Sequence, residues 1–398
     1  MTNPYYLYIL VFGFVLIVYQ FQWSELYPSL DISLVSFLVS TFAICFILGS
    51  SIYKPAVSKF YSVNYDRTID KVLYVTLIFW SLEFVYNRGI PLLLIFQGGQ
   101  YEYSSGFGIP SFHVLLATFS SFWTVYIFHV YLSCKNVKIL LLFSLSILPQ
   151  ILIFNRGGTL IILSSCAFIY ISSAIENLNF LRLASIISKV IISMFAILFV
   201  FGALGNIRTE QTYQTSEDES IILRIGQATQ SFKNSSIPSE FFWAYIYASS
   251  PLANLQATVN RVSSSNTQIS IADVIGFVNN EILPDFISKR INEISGNAKV
   301  SSTLIDSQLT VSTVYAGSCA QLHWVGMMLM ALVIFSFPTI YTSRLKKQNQ
   351  FALTGLAMLN SLYLFLIFDN MFAFSGLSVQ LVYPLLLQNI GISKGIAK

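Results

Sequence analysis

The 398-residue chain carries 22 Lys and Arg against 18 Asp and Glu, so only 10% of it is charged and its net charge is +4. A soluble domain is about 25% charged; at 55% hydrophobic residues and a mean hydropathy of +0.67 this composition excludes one and reads as an all-α polytopic integral membrane protein, whose helices satisfy their own backbone in lipid. The basic residues are scattered in ones and twos, which argues against nucleic acid as a partner.

In chain order, apolar runs at 5–21, 32–48, 72–86, 111–132, 139–154, 160–175, 190–204, 311–339, 351–368 and 372–390 give about ten transmembrane helices. The first lacks a basic leader and a small-residue cleavage site, so it reads as a retained span. Loops after the even-numbered runs hold Lys54, Lys59, Arg67 and Lys71; Lys135 and Lys138; Arg182 and Lys189; Arg344, Lys346 and Lys347; and Lys394 and Lys398. These are 13 of the 22 basic residues, and the positive-inside rule makes their side the cytoplasm, with both termini inside. The expected organisation is helices 1–7 over 1–205, one large external segment over 206–310 with ten acidic and seven basic residues, and helices 8–10 over 311–398.

Within that segment, 241–259 (FFWAYIYASSPLANLQATV) is apolar enough for an eleventh span, but one extra crossing would carry Arg344, Lys346 and Lys347 outside. A re-entrant or interfacial segment broken at Pro251 is therefore expected. The stretch 273–294 places Ile275, Val278, Ile282, Phe286 and Ile294 near helical spacing, as an interfacial amphipathic helix or an ordinary packed one would. Cys45, Cys134, Cys166 and Cys319 show no CxxC spacing and no nearby histidine pair, so neither a disulfide framework nor a zinc site is expected.

Against the charge bias, three arginines stand in short external turns: Asn87-Arg88-Gly89, Asn155-Arg156-Gly157-Gly158 and Gly205-Asn206-Ile207-Arg208. Runs five and six are only about 16 residues long, which puts Arg156 near the outer membrane boundary, where a cation is costly unless it snorkels or meets an anion. Glycines let a ligand approach, free amides at a helix start favour negative charge, and the arginine fork suits phosphate. A lipid phosphate or diphosphate is the simplest such anion. The structural alternative pairs Arg88 with Glu83 or Glu102 and lets the others snorkel. External aromatics such as Tyr213, Trp243, Tyr245 and Tyr247 fit either sugar contact or interfacial anchoring.

The series Asn87-Arg88-Gly89-Ile90-Pro91-Leu92-Leu93, Gly98…Tyr101 and Phe107-Gly108-Ile109-Pro110-Ser111-Phe112-His113 resembles the external-loop signature of Wzy-type oligosaccharide repeat-unit polymerases. Asn155-Arg156-Gly157-Gly158, Gly205-Asn206-Ile207-Arg208, Tyr247…Ser250-Pro251-Leu252-Ala253-Asn254-Leu255 and Tyr315-Ala316-Gly317 are similar to later marks of that family. The family's Arg–ten residues–Gly motif is matched only by Arg88…Gly99, and the long external segment is acidic where the family's is basic. The resemblance implies a membrane glycosyltransferase in the bacterial inner membrane, joining undecaprenyl-diphosphate-linked O-antigen or capsule units on the outer face. It implies lipid-linked oligosaccharides and membrane lipids as partners and leaves open a chain-length regulator.

On that reading Arg156 and Arg208 stabilise the diphosphate leaving group without metal or cofactor, and His113, at the outer start of span four, is the candidate base. Glu102, Glu210 and Asp369 are rival bases. Arg88, Tyr101, Glu102 and Tyr247, with Asn254, Arg261 and Asp369, are the expected substrate contacts. The competing classes are an O-antigen ligase and a lipid-linked oligosaccharide flippase or other transporter.

Overall fold

The computed structural model describes residues 3–57, 59–96, 107–175, 221–265, 268–296 and 299–389, and these are all-helical apart from connectors and one isolated bridge between Ser24 and Ala228. Besides two single-turn helices at Ile221–Ile225 and Gln230–Lys233, the helices are α1 (Pro4–Tyr19), α2 (Ile32–Ile47), α3 (Thr68–Tyr86), α4 (Pro91–Phe96), α5 (Phe112–Cys134), α6 (Val137–Leu152), α7 (Arg156–Ile175), α8 (Glu240–Ser263), α9 (Ile271–Phe277), α10 (Asp285–Ser295), α11 (Val314–Arg344), α12 (Ala352–Phe365) and α13 (Ser375–Leu387). Every apolar run except 190–204, which lies outside the described residues, forms a helix. Four helical stretches are long and apolar enough to cross a membrane: Ile32–Ile52, Phe112–Cys134, Arg156–Ala174 and Val314–Arg344. Four more, α1, α6, α12 and α13, are apolar but shorter.

Starts are set by side chains that satisfy the free amides of the first turn. Asn3 accepts from Tyr5 N ahead of Pro4, Asn136 from Lys138 N, and Thr313 from Tyr315 N. Packing then gathers α1 against α2, α8 and α12, α5 against α3, α6 and α7, and α8 against α11. Hydroxyls bridge helices in the interior, where a hydrogen bond between helices replaces an unmet polar group. The Tyr8 hydroxyl lies 2.7 Å from that of Tyr315 and 2.9 Å from Thr41 Oγ1.

The bundle has two chemically distinct ends. At one, Lys138 pairs with Asp70 at 2.7 Å, Val63 N donates to Ser133 Oγ, and the Tyr61 hydroxyl donates to Asn349 O. These contacts gather the basic loops after α2, α5 and α11. The far ends of α3 and α6 carry the Asn87 turn and the Asn155 hairpin.

Two sequence expectations change in shape. Helix α8 runs unbroken through Pro251: a proline removes one backbone bond and ends a helix only where its flanks are unsupported, and here Ser249 to Gln256 are all buried. Leu252, Leu255 and Val259 of this helix belong to the bundle's main core. The 273–294 stretch is two helices, α9 prolonged by a wide turn (Val278–Ile282) and α10, because Pro284 interrupts it. Its apolar face persists in exposed Ile275, Val278 and Ile294. Helix α11 is itself broken at Leu322 and His323, where His323 has φ 56°.

Candidate functional site

Glu83 is buried completely on an apolar helix, so its charge must be met. Its Oε2 accepts from His113 Nδ1 at 2.6 Å and its Oε1 from Ile109 N at 3.3 Å. The chain reaches this arrangement through a tight turn. Gly108 has φ +91°, and a Cβ there would sit 2.6 Å from the His113 Cβ, so only glycine allows the turn to close over the imidazole. Ser111, at φ 66°, then redirects the backbone into α5, while Trp80 and Phe107 present ring edges to His113. Asn87 joins this turn to the end of α3, accepting from Gly108 N at 3.2 Å and donating to Glu83 O at 2.8 Å. Two motifs twenty residues apart in sequence thus form one hydrogen-bonded unit around a carboxylate–imidazole pair.

The Asn155 hairpin is built separately and tied to the same helix. Asn155 Oδ1 accepts from Gly158 N at 2.9 Å as an N-cap of α7, and its Nδ2 donates to Gln150 Oε1 at 3.2 Å. Gln150, buried on α6, donates in turn to Ala117 O and Ser121 Oγ on α5. A Cβ at Gly158 would meet Asn155 Nδ2 at 2.7 Å, which explains the second glycine of the pair. Arg156 opens α7, exposed, with its guanidinium 4.8 Å above the Phe154 ring.

A cleft of about 500 Å³ brings these pieces together, within the range of small-molecule sites. His113, Gln150, Asn155 and Gly158 line one side. The other side is α10 with Asp285, Lys289, Arg290 and Glu293, and the start of α13 with Ser375 and Gly376. Asp285 anchors α10 by accepting from Ser375 N and Ser375 Oγ. Arg290 pairs with Glu293 at 2.7 Å and Lys289 lies 3.9 Å from the half-buried Asp285; Lys289, Arg290 and Glu293 are exposed, where such pairs contribute little and exchange with an incoming anion.

The other expected site residues are dispersed. Arg88 is exposed, at φ 54°, on the turn behind the pair, and Glu83 turns to His113 and not to it. Tyr247 is half-exposed and stacked on Trp243. Arg261 donates to Ser301 O at 3.1 Å. Asn254 is fully buried: its Nδ2 donates to Leu309 O and Val311 O and its Oδ1 accepts from Ile305 N, so both ends of its amide are engaged in stapling the connector ahead of α11. Asp369 stands at a neighbouring cavity, not in the cleft. Arg208, Tyr101 and Glu102 lie outside the described residues.

Sequence reasoning did not assign Glu83, Gln150, Lys289 or Arg290 to the site. The signal for Glu83 was present, as the one carboxylate deep in an apolar run. That for Lys289 and Arg290 was the polar face of an amphipathic stretch, which carries no address. Among the described residues no three His, Cys, Asp or Glu side chains group as a metal-binding set. Comparison with protein families, with curated proteins and with solved structures gives no match.

Proposed function

We propose that this chain is a membrane-embedded glycosyltransferase that polymerises polyprenyl-diphosphate-linked oligosaccharide repeat units on the outer face of a bacterial inner membrane. The observation that supports it best is His113, backed by the buried Glu83, lining the same cleft as Asn155 and Gly158 of the hairpin that carries Arg156. An imidazole held at Nδ1 by a carboxylate presents its opposite nitrogen as a base, and the carboxylate stabilises the imidazolium that forms. The acceptor hydroxyl gives its proton to His113 as its oxygen bonds to the anomeric carbon of the donor glycan. The bond from that carbon to the diphosphate breaks, and the electron pair leaves with the diphosphate.

In this reading Lys289 and Arg290, which line the cleft, and Arg156, on the hairpin at its edge, meet the charge that develops there, and Arg208 completes the set. Fixed cations take the part that a divalent metal plays elsewhere, so the reaction proceeds in excess chelator. An O-antigen ligase would use the same donor with a lipid A-core acceptor, and a flippase would form no bond. Deletion of the gene followed by gel analysis of lipopolysaccharide or capsule separates the three. One repeat unit on the core is the polymerase result; none at all overturns the reading in favour of ligase or flippase.

A further inference from the structure

Behind the α10 side of the His113 cleft lies a second cavity, of about 460 Å³, lined by Glu281, Lys299, Ser302, Ser312, Asp369 and Asn370 among others. Two short segments, 281–286 and 368–376, form the wall between them. Asn370 Nδ2 donates to Glu281 O at 2.7 Å, Asp285 N to Ala373 O at 2.7 Å, and Phe286 N to Ser375 Oγ at 3.0 Å. Asp285, Phe286, Phe374 and Ser375 face the cleft on one side of this wall, and Glu281, Phe368, Asp369 and Asn370 face the second cavity on the other.

The second cavity is the more polar of the two, and its groups are set for hydroxyls. Glu281 is 2% exposed, and its carboxylate accepts from Asn370 Nδ2 at 3.0 Å with Lys299 Nζ 3.5 Å away. It stands against α11 at Gly317, where any Cβ would run into it. Ser312 Oγ is buried and has no partner among the described residues. Carboxylates accept, an ammonium donates and serine does both, which together match the vicinal hydroxyls of a pyranose, while Phe368 offers an apolar surface to its C–H face. Two carboxylates against one ammonium repel a phosphate, and a hydrocarbon tail would strand all of these groups unmet.

We infer that this cavity holds a saccharide ring of the glycan, one wall away from the reacting centre. The inference rests on the polymerase reading, in which two saccharide chains are held at once. The test uses full-length protein in nanodiscs and two probes: undecaprenyl diphosphate for the cleft, and the free oligosaccharide released by mild acid from the host's lipid-linked repeat units for the cavity.

Ser302→Trp fills the cavity from a connector, and Asp369→Asn removes one acceptor charge while keeping its shape; unchanged melting temperatures confirm that both fold. Oligosaccharide affinity falls at least tenfold in both variants, and undecaprenyl diphosphate affinity stays within twofold of wild type. Equal oligosaccharide binding by wild type and both variants overturns the inference. So does undecaprenyl diphosphate binding to wild type with no oligosaccharide binding, or displacement of the oligosaccharide by methylammonium at low millimolar concentration, which would mark a cation site. Oligosaccharide binding that depends on the cavity, with no binding of undecaprenyl diphosphate, keeps the saccharide site and overturns the polymerase.

Discussion

A carboxylate with no solvent exposure survives in an apolar helix only where its charge is met, and Glu83 meets His113 at 2.6 Å. Removing one partner strands the other, so His113→Ala combines a loss of base with a loss of stability of about 3–5 kcal/mol. Glu83→Gln is the cleaner probe, since its amide oxygen still accepts from Nδ1. We expect normal membrane levels of Glu83→Gln and polymerisation slowed about 10²–10⁴-fold, as for the loss of general base catalysis. A rate within twofold of wild type, measured by chain synthesis in vesicles, would refute the role of the pair. Glu281 tests the sign of a different effect: its burial raises its pKa, against the pull of Lys299. The unfolded chain therefore releases this proton first, and wild type loses stability as pH rises from the ordinary carboxylate range, near 4.3, through the raised value. Glu281→Gln lacks that loss, so its melting temperature gains on that of wild type between pH 4 and pH 7. A difference that stays constant with pH would contradict this.

Helix α10 is held at its start by Asp285 and Ser375 and lays Lys289 and Arg290 along the cleft, opposite the hairpin that carries Arg156. If these cations meet the departing diphosphate, Arg156→Ala costs about 2–4 kcal/mol of transition-state stabilisation. Lysine at 156 rescues in part, because it restores charge without the fork. The double variant Lys289→Ala, Arg290→Ala lowers kcat with a smaller effect on the KM for the lipid-linked donor, as loss of contacts to the developing charge requires, and a steady-state assay separates the two. Wild-type-length chains from Arg156→Ala would dismiss the hairpin from the reaction. The two halves of this site were not equally legible. The Asn155 hairpin and His113 stand out because glycines, an arginine and a histidine interrupt apolar runs at turns. The Glu83 pairing and the placement of α10 depend on contacts between residues 30 or more apart in sequence and across separate helices, which no local periodicity encodes. Asn254 misled for the converse reason: a buried amide that satisfies backbone carbonyls looks, in sequence, like one poised for a ligand.

At the scale of the molecule, hydropathy located the helices well because a lipid-facing helix must be apolar along its length. It could not say how α8 lies. At 24 residues this helix is about 36 Å long at 1.5 Å per residue, enough to cross. Its partners argue otherwise. The Tyr245 hydroxyl accepts from Trp23 N, Ser249 Oγ lies 3.0 Å from the Tyr27 hydroxyl, and Gln256 Oε1 accepts from Asp31 N, so residues over half its length follow the 23–31 connector between α1 and α2. That connector is at the end of α1 opposite Asn3, whose amide donates to Gly49 O on the basic side. In the last turns of α8, Thr258 Oγ1 accepts from Thr303 N, and Val314 N donates to Leu366 O before α11 runs toward Arg344 and the basic loops. The chain thus enters and leaves α8 at one end of the bundle, which is the outer end in the proposed topology, where the charge bias puts Arg344, Lys346 and Lys347 inside. Single cysteines at Ser264 and Ser343, both exposed, in a background with Cys45, Cys134, Cys166 and Cys319 replaced, test this directly. An impermeant maleimide added to intact cells labels Ser264→Cys, and it labels Ser343→Cys only after the membrane is opened. Labelling of Ser343→Cys in intact cells would overturn the proposed sidedness and the placement of the His113 cleft on the outer face.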